Sequence, residues 1–173
     1  ISMGPRDHAE CPHRVTFDRL VASDNDALDE CIAAAYRQVL GNAHIMAHER
    51  CDVLEAQLSD GRISTQEFIR NLAKSELYKS RYFYAVSAYR SIELNFKHLL
   101  GRPPLDQEEI ATATAIQSAQ GFDALIDSII DSAEYTEVFG DSTVPYIRSY
   151  TSASGMMMAN FTRIAALEQS VAS

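Results

Sequence analysis

The stretch from Tyr89 to Pro104 constrains the fold more than any other. Tyr89, Ile92, Phe96, Leu99 and Leu100 recur at helical spacing, Gly101 follows the last of them, and Pro103-Pro104 blocks continuation. A helix with one apolar stripe must bury that stripe against other elements, so the rest of the chain has to supply them. It supplies more helices. Leu28, Ile32, Tyr36, Val39 and Leu40 follow the same spacing after the capping run Ser23-Asp24-Asn25-Asp26, and Gly41-Asn42 stops them. A second helix is expected over His48 to Leu58, with Val53, Leu54 and Leu58 inward and Ser59-Asp60-Gly61 closing it. Ser64 with Glu67 is a capping box ahead of Phe68, Ile69, Leu72, Leu77 and Tyr78, with a helix end near Ser75. Asp106 or its neighbourhood caps a segment through Glu109, Ile110, Ala113 and Ile116. Gly121 precedes the stripe Phe122, Leu125, Ile126, Ile129 and Ile130, and Glu134 to Phe139 is a short helix ended by Gly140. No useful strand alternation occurs. The expected fold is all-α, a single domain of six or seven helices over residues 23–148. An extended arm over 1–22 (Gly4, Pro5 and Pro12 interrupt its first part) and a C-terminal extension over 149–173 flank it.

Two echoes suggest that the helical unit occurs twice. Tyr36-Arg37-Gln38-Val39-Leu40-Gly41-Asn42 resembles Phe96-Lys97-His98-Leu99-Leu100-Gly101-Arg102, sixty positions on. Ser75 and Tyr78 match Ser132 and Tyr135, fifty-seven positions on. The competing reading is that any helix ending in Gly looks like this.

Charge narrows the partners. Fifteen Lys and Arg face 24 Asp and Glu, a net charge of −9, which argues against nucleic acid as the target. No uncharged run approaches the ~20 apolar residues of a membrane span, so no direct membrane insertion is expected. Cys11, Cys31 and Cys51 are too few, and odd in number, for a disulfide framework, which favours a reducing compartment. Ile1 in place of Met suggests a processed start, with a targeting peptide removed.

Candidate chemistry is sparse. His44, His48 and Cys51 lie at i, i+4 and i+7 and would share a face on one continuous helix, as zinc ligands do, but lack a fourth partner. His8, Cys11 and His13 sit in the arm, a poor preorganised site. Asp24, Asp26, Asp29 and Glu30 fit the N-terminus of a helix better than a calcium loop. No nucleophile elbow, phosphate loop or dinucleotide turn is present, so no enzyme is expected. The aromatics say more. Tyr78, Tyr82, Phe83, Tyr84 and Tyr89 crowd twelve residues among Lys79, Arg81 and Arg90, a composition typical of interface hot spots. Not all can point inward, so a partner-binding surface is expected there.

Glu67-Phe68-Ile69-Arg70-Asn71-Leu72-Ala73-Lys74-Ser75-Glu76-Leu77-Tyr78 resembles the phycobilisome linker domain, as does Arg90 through Leu94-Asn95-Phe96-Lys97-His98 to Pro103. Gln120-Gly121-Phe122, Ile126-Asp127-Ser128, Asp131-Ser132 with Glu134-Tyr135, and Phe139-Gly140 through Val144-Pro145-Tyr146 continue the pattern, the earlier Tyr36 to Asn42 also matches, and the resemblance covers roughly Asp26 to Arg148, most of the chain. The resemblance implies a non-enzymatic linker in the central cavity of phycobiliprotein hexamers, phycoerythrin or phycocyanin. It would join discs into rods, meet neighbouring linkers and tune nearby bilins. It further implies that Tyr78, Tyr82, Tyr84, Tyr89 and Tyr146 approach bilins, and that Arg70, Lys74, Arg81, Arg90 and Arg148 pair with acidic residues of the ring. Phe96, Leu99 and Leu100 are expected to be structural.

Rod linkers of this family tend to be basic; here the positive charge would have to gather on one face. A fragment, a single-domain linker and one repeat of a larger linker are all compatible with the length. The tail from Ser149 to Met158 is expected to be extended and to reach a neighbouring disc. A thylakoid-bound phycobilisome, on the stromal or cytoplasmic face, is the expected location, with a red-algal plastid favoured. No covalent cofactor is expected. The alternative is a chromophore-bearing linker with a bilin thioether-linked to a cysteine, for which Cys11 and Cys51 are the better candidates because Cys31 lies on a buried stripe. Freed of its ring, such a chain is expected to self-associate.

Overall fold

The computed structural model describes residues 14–18, 25–41 and 45–148. Among them are eight α-helices: α1 (Asn25–Val39), α2 (Asp52–Ser59), α3 (Thr65–Ala73), α4 (Glu76–Tyr82), α5 (Ala88–Leu100), α6 (Gln107–Gln120), α7 (Phe122–Ile130) and α8 (Ala133–Val138), with one turn of 3-10 helix at Ala47–Glu49. The all-α expectation holds. One helix more than expected appears because Ser75 ends one helix and starts another: its hydroxyl donates to Leu72 O (2.7 Å) and accepts from Tyr78 N (3.3 Å). The helix expected over His48–Leu58 begins only at Asp52, with Cys51 as its N-cap, and Val53 points outward at 71% exposure. Ser23 and Asp24, the expected cap of α1, lie outside the described residues.

α5 is the centre of the bundle, with nine of its thirteen residues buried. α1, α6 and α7 pack around it, and α3 closes against α1 and α7. Part of the expected N-terminal arm belongs to this core. Residues 14–18 run extended beside 142–144, with Phe17 N donating to Ser142 O (2.8 Å) and Val144 N to Val15 O (2.9 Å). Phe17 is only 2% exposed, and its carbonyl accepts from the buried Thr65 hydroxyl (2.9 Å). An apolar ring at this position anchors the segment, which residue spacing in the arm did not reveal.

The duplication is visible in three dimensions. α3 and α7 match end to end fifty-seven positions apart, and Phe68, Ile69, Leu72 and Ala73 are buried as Leu125, Ile126, Ile129 and Ile130 are. Ser132 repeats the geometry of Ser75, donating to Ile129 O (2.7 Å) and accepting from Tyr135 N (3.2 Å). Tyr78 and Tyr135 are both fully buried. α1 and α5 each stop at a left-handed glycine, Gly41 and Gly101, with φ of 71° and 67°. The halves meet as a two-fold pair would. Arg70 and Asp127 occupy equivalent positions and bond each other (2.7 Å), and the exchanged pairs Arg70–Asp131 (2.5 Å) and Lys74–Asp127 (2.6 Å) flank them. Basic residues sit on the first half and acidic ones on the second, so the duplicated halves attract rather than repel.

Candidate partner-binding surface

The corner between α4 and α5 carries the aromatic run. The sequence folds it this way because α4 ends at Tyr82 and Ser87 caps α5, its hydroxyl accepting from Arg90 N (3.3 Å). Five residues then have to cross the surface between two helix ends. Phe83 turns half inward onto Phe122, with ring centroids 4.8 Å apart, and Tyr84 stacks on Phe83 at 5.2 Å. Tyr84 is 64% and Tyr89 48% exposed. Tyr84, held by Phe83 from below and open to solvent above, is suited to contacting a partner at small entropic cost.

The other tyrosines named for this surface behave differently. Tyr78 is fully buried: its hydroxyl donates to Asn95 Oδ1 (2.8 Å) and lies 3.1 Å from His98 Nδ1. With that proton on Asn95, the His98 tautomer that satisfies both groups carries its proton on Nδ1. Burial, reinforced by Lys97 and Arg90, pushes the imidazole down to about 3, so it is neutral. Tyr146 is buried against Phe139, edge on at 5.3 Å. Tyr78 and Tyr146 are therefore corrected from surface to core. Tyr82 is half-buried and donates to Leu40 O (2.5 Å), holding α4 to the end of α1. Replacing Tyr78 by Phe strands Asn95 Oδ1 and the His98 N–H, and denaturant unfolding should report a loss of about 1–3 kcal/mol. A midpoint unchanged from the parent would show that the hydroxyl holds nothing.

The five cations expected to meet an acidic ring are each engaged within the chain. Arg70 and Lys74 hold the seam between halves. Arg81 pairs with Glu49 (2.9 Å), Arg90 with Glu93 (2.7 Å) and Arg148 with Glu134. Arg70 is raised above its ordinary value, first by its hydrogen bond to Asp131, against burial. No basic face is assembled from these five side chains. Sequence spacing shows the local pairs Arg70–Glu67 and Arg90–Glu93 but hides those of Arg70 with Asp127 and Asp131, fifty-seven and sixty-one positions away.

The two described cysteines, Cys31 and Cys51, offer little nucleophilic chemistry. Burial pushes the Cys31 thiol up to about 11. Cys51 is half-buried, and desolvation also raises its thiol. Its backbone N–H donates to the Tyr36 hydroxyl (2.7 Å), which in turn donates to Glu55 (2.8 Å). Cys11 lies outside the described residues, as do His8, His13 and His44. His48 is exposed on the 3-10 turn while Cys51 starts α2, so these two do not share a continuous helix face.

Comparison with known proteins places this geometry. The sequence model of the family described as "Phycobilisome Linker polypeptide" matches residues 23–148. The chain is 52% identical over 161 residues to the phycoerythrin class 2 subunit gamma, linker polypeptide, of Synechococcus sp. (strain WH8020), covering 93% of this chain and 55% of that protein. It is 54% identical over 131 residues to a 31.8 kDa phycoerythrin-associated rod linker polypeptide of Microchaete diplosiphon, covering 76% of this chain and 46% of the relative. A 32.3 kDa phycocyanin-associated rod linker polypeptide of Picosynechococcus sp. is 48% identical over 147 residues, 85% of this chain and 51% of its own length. The chain thus spans about half the length of these relatives.

Proposed function

The chain belongs to the phycobilisome linker polypeptide family, and on that premise we propose that it is a structural, non-enzymatic linker of phycobiliprotein discs. It sits in the central opening of phycoerythrin or phycocyanin hexamers, joins stacked discs and neighbouring linkers into rods, and shapes the surroundings of nearby bilins. The observation that carries this reading on the chain itself is the exposed pair Tyr84 and Tyr89 at the α4–α5 corner, where Tyr84 packs on Phe83 and Phe83 on Phe122. A ring docked there excludes water from a neighbouring chromophore and stiffens its setting, which shifts its energy. Since the cations are paired internally, aromatic packing supplies more of the affinity than charge.

The phycobilisome is the proposed location, on the cytoplasmic face of the thylakoid. The relatives named above are cyanobacterial and lend no weight to a plastid. No helix among the described residues is long and apolar enough to cross a membrane.

The test is co-sedimentation with phycoerythrin hexamers and, separately, phycocyanin hexamers, recording emission before and after mixing. Capture with a shifted emission maximum is expected, and the disc type that responds names the partner. The double variant Tyr84→Ser with Tyr89→Ser should bind about tenfold more weakly or worse, with its unfolding midpoint unchanged, as expected of exposed hot-spot rings. Equal capture by the variant would remove these tyrosines from the interface. Colourlessness belongs to the same proposal: the chain, denatured after purification from its native source, should show no visible absorption. A retained chromophore would replace this reading by the pigment-bearing one and send the search for the attachment point to Cys51 and Cys11.

A further inference from the structure

Beside α5 lies a groove of about 440 Å³ that the ring-binding surface does not use. Phe96 and Leu100 of α5, Ala113 of α6, and Leu125 and Ile129 of α7 form its apolar floor. Asp106, Glu108, Glu109 and Glu134 line its rim, and no Lys or Arg lines it. Two neighbouring guanidiniums, Arg102 and Arg148, are bound to Glu109 and Glu134; Asp106 and Glu108 face solvent, so the rim stays anionic. α6 forms one wall of this groove and packs against α5 and α7. Only Ile110 and Ala113 of its fourteen residues are buried, and Leu105 is exposed at the mouth.

We propose that this groove is a docking site for a cationic amphipathic segment of a partner protein, whose apolar side chains cover the floor while its Lys or Arg residues meet the acidic rim. The volume lies within the ~300–1,000 Å³ of clefts that hold ligands. An apolar floor between helices takes anchors at i, i+3 or i+4, and i+7 of an incoming helix. The sign of the rim selects the charge of the partner and steers its approach. This goes beyond the disc-binding reading and rests on different residues.

The experiment titrates the whole chain with a labelled fourteen-residue Leu/Lys amphipathic peptide and with its Leu/Glu counterpart at about 0.15 M salt, where exposed charges more than ~8 Å apart are screened. The Lys peptide is expected to bind at least about tenfold tighter and to slow amide exchange in α5, α6 and α7. Thr112, an exposed residue of the lining, is replaced in Thr112→Arg, and Glu108 in Glu108→Lys. Each should weaken binding about fivefold or more with unfolding midpoints unchanged. Equal binding of the two peptides overturns the proposal. So does binding indifferent to Thr112→Arg, which would mean attraction to the net charge alone, and so does protection confined to other helices. Failure of both peptides to bind overturns it too, whether the groove is open or already covered by another part of this chain.

Discussion

Replacing Gly101 by Ala should destabilise the fold by about 4 kcal/mol or more, the largest effect expected of any single methyl group in this chain. Two costs coincide. The residue stands at φ +67°, a conformation that costs an L residue about 1–2 kcal/mol. An added Cβ would also fall 1.9 Å from the carbonyl oxygen of Tyr146 and 2.9 Å from its carbonyl carbon. Those atoms are backbone and cannot rotate away. The segment 146–148 would have to move, taking with it the bond from Arg148 N to Gly101 O (2.9 Å), the Tyr146–Phe139 ring contact and the Arg148–Glu134 pair. For a domain of this size each kcal/mol is worth ~2–4 °C, so thermal unfolding should fall by about 8–16 °C. Gly140 supplies the control. Its φ is +61°, but the nearest atom to an added Cβ is Thr136 O at 3.8 Å, so Gly140→Ala carries the conformational cost alone. If both variants lost the same stability, the close approach at Gly101 would carry no energetic weight.

That contrast also marks where the sequence could be read and where it could not. Gly41 and Gly101 were legible as helix stops because a helix end needs a left-handed residue, a local requirement written in local sequence. Ser64 was legible as a cap for the same reason, while Ser75 was read as a helix end and Ser132 as its echo; all three accept from the N–H three residues on. That Gly101 lies against Tyr146 was not legible, since nothing local encodes an approach between residues forty-five positions apart. The candidate site shows the same division. The crowding of five aromatics between Tyr78 and Tyr89 announced a surface, and Tyr84 and Tyr89 occupy it. Which of the five turned inward depended on the end of α4 at Tyr82 and on the partners waiting for Tyr78, Asn95 and His98 of α5. The internal partners of the cations were hidden for a related reason. Along α3 the sequence offers Arg70 only Glu67, and the return of the second half brings Asp127 and Asp131 to Arg70 and Lys74. A duplication with inverted charge could have been suspected by aligning 65–82 with 122–139, where Arg70 faces Asp127 and Lys74 faces Asp131.

Arg102→Met should cost about 3–5 kcal/mol near pH 7, and the loss should shrink as the solution is acidified. The guanidinium is nearly buried, and all five of its N–H groups are used. Nε and one Nη2 proton go to Glu134 (2.7 and 2.5 Å), the other Nη2 proton and one Nη1 proton to Glu109 (2.8 and 3.0 Å), and the last to Pro103 O (3.0 Å). Its CZ also lies over the Phe96 ring at 5.5 Å. Methionine keeps much of the stem and its packing but removes the charge, leaving two partly buried carboxylates facing each other, the situation in which breaking a buried ion pair is most costly. The sign of the pH effect follows from Glu134. Burial pushes its carboxyl up, but hydrogen bonds and charge from Arg102 and then Arg148 overcome this and hold it below the ordinary value. In the parent, Glu134 therefore contributes stability that is present above its unfolded pKa of about 4.3 and is lost as pH falls through the depressed folded value. In the variant only Arg148 opposes burial, so the folded carboxyl rises towards or above the unfolded value, and protonation relieves destabilisation instead of removing stability. Urea midpoints from pH 7 to pH 4 should show the gap between parent and variant closing below about pH 5. Adding Glu134→Gln to Arg102→Met should recover part of the loss at pH 7, because the double variant no longer holds two facing carboxylates with no guanidinium between them. A gap of constant size down to pH 4, with no recovery in the double variant, would mean that Arg102 acts through its packing on Phe96 and not through the carboxylates.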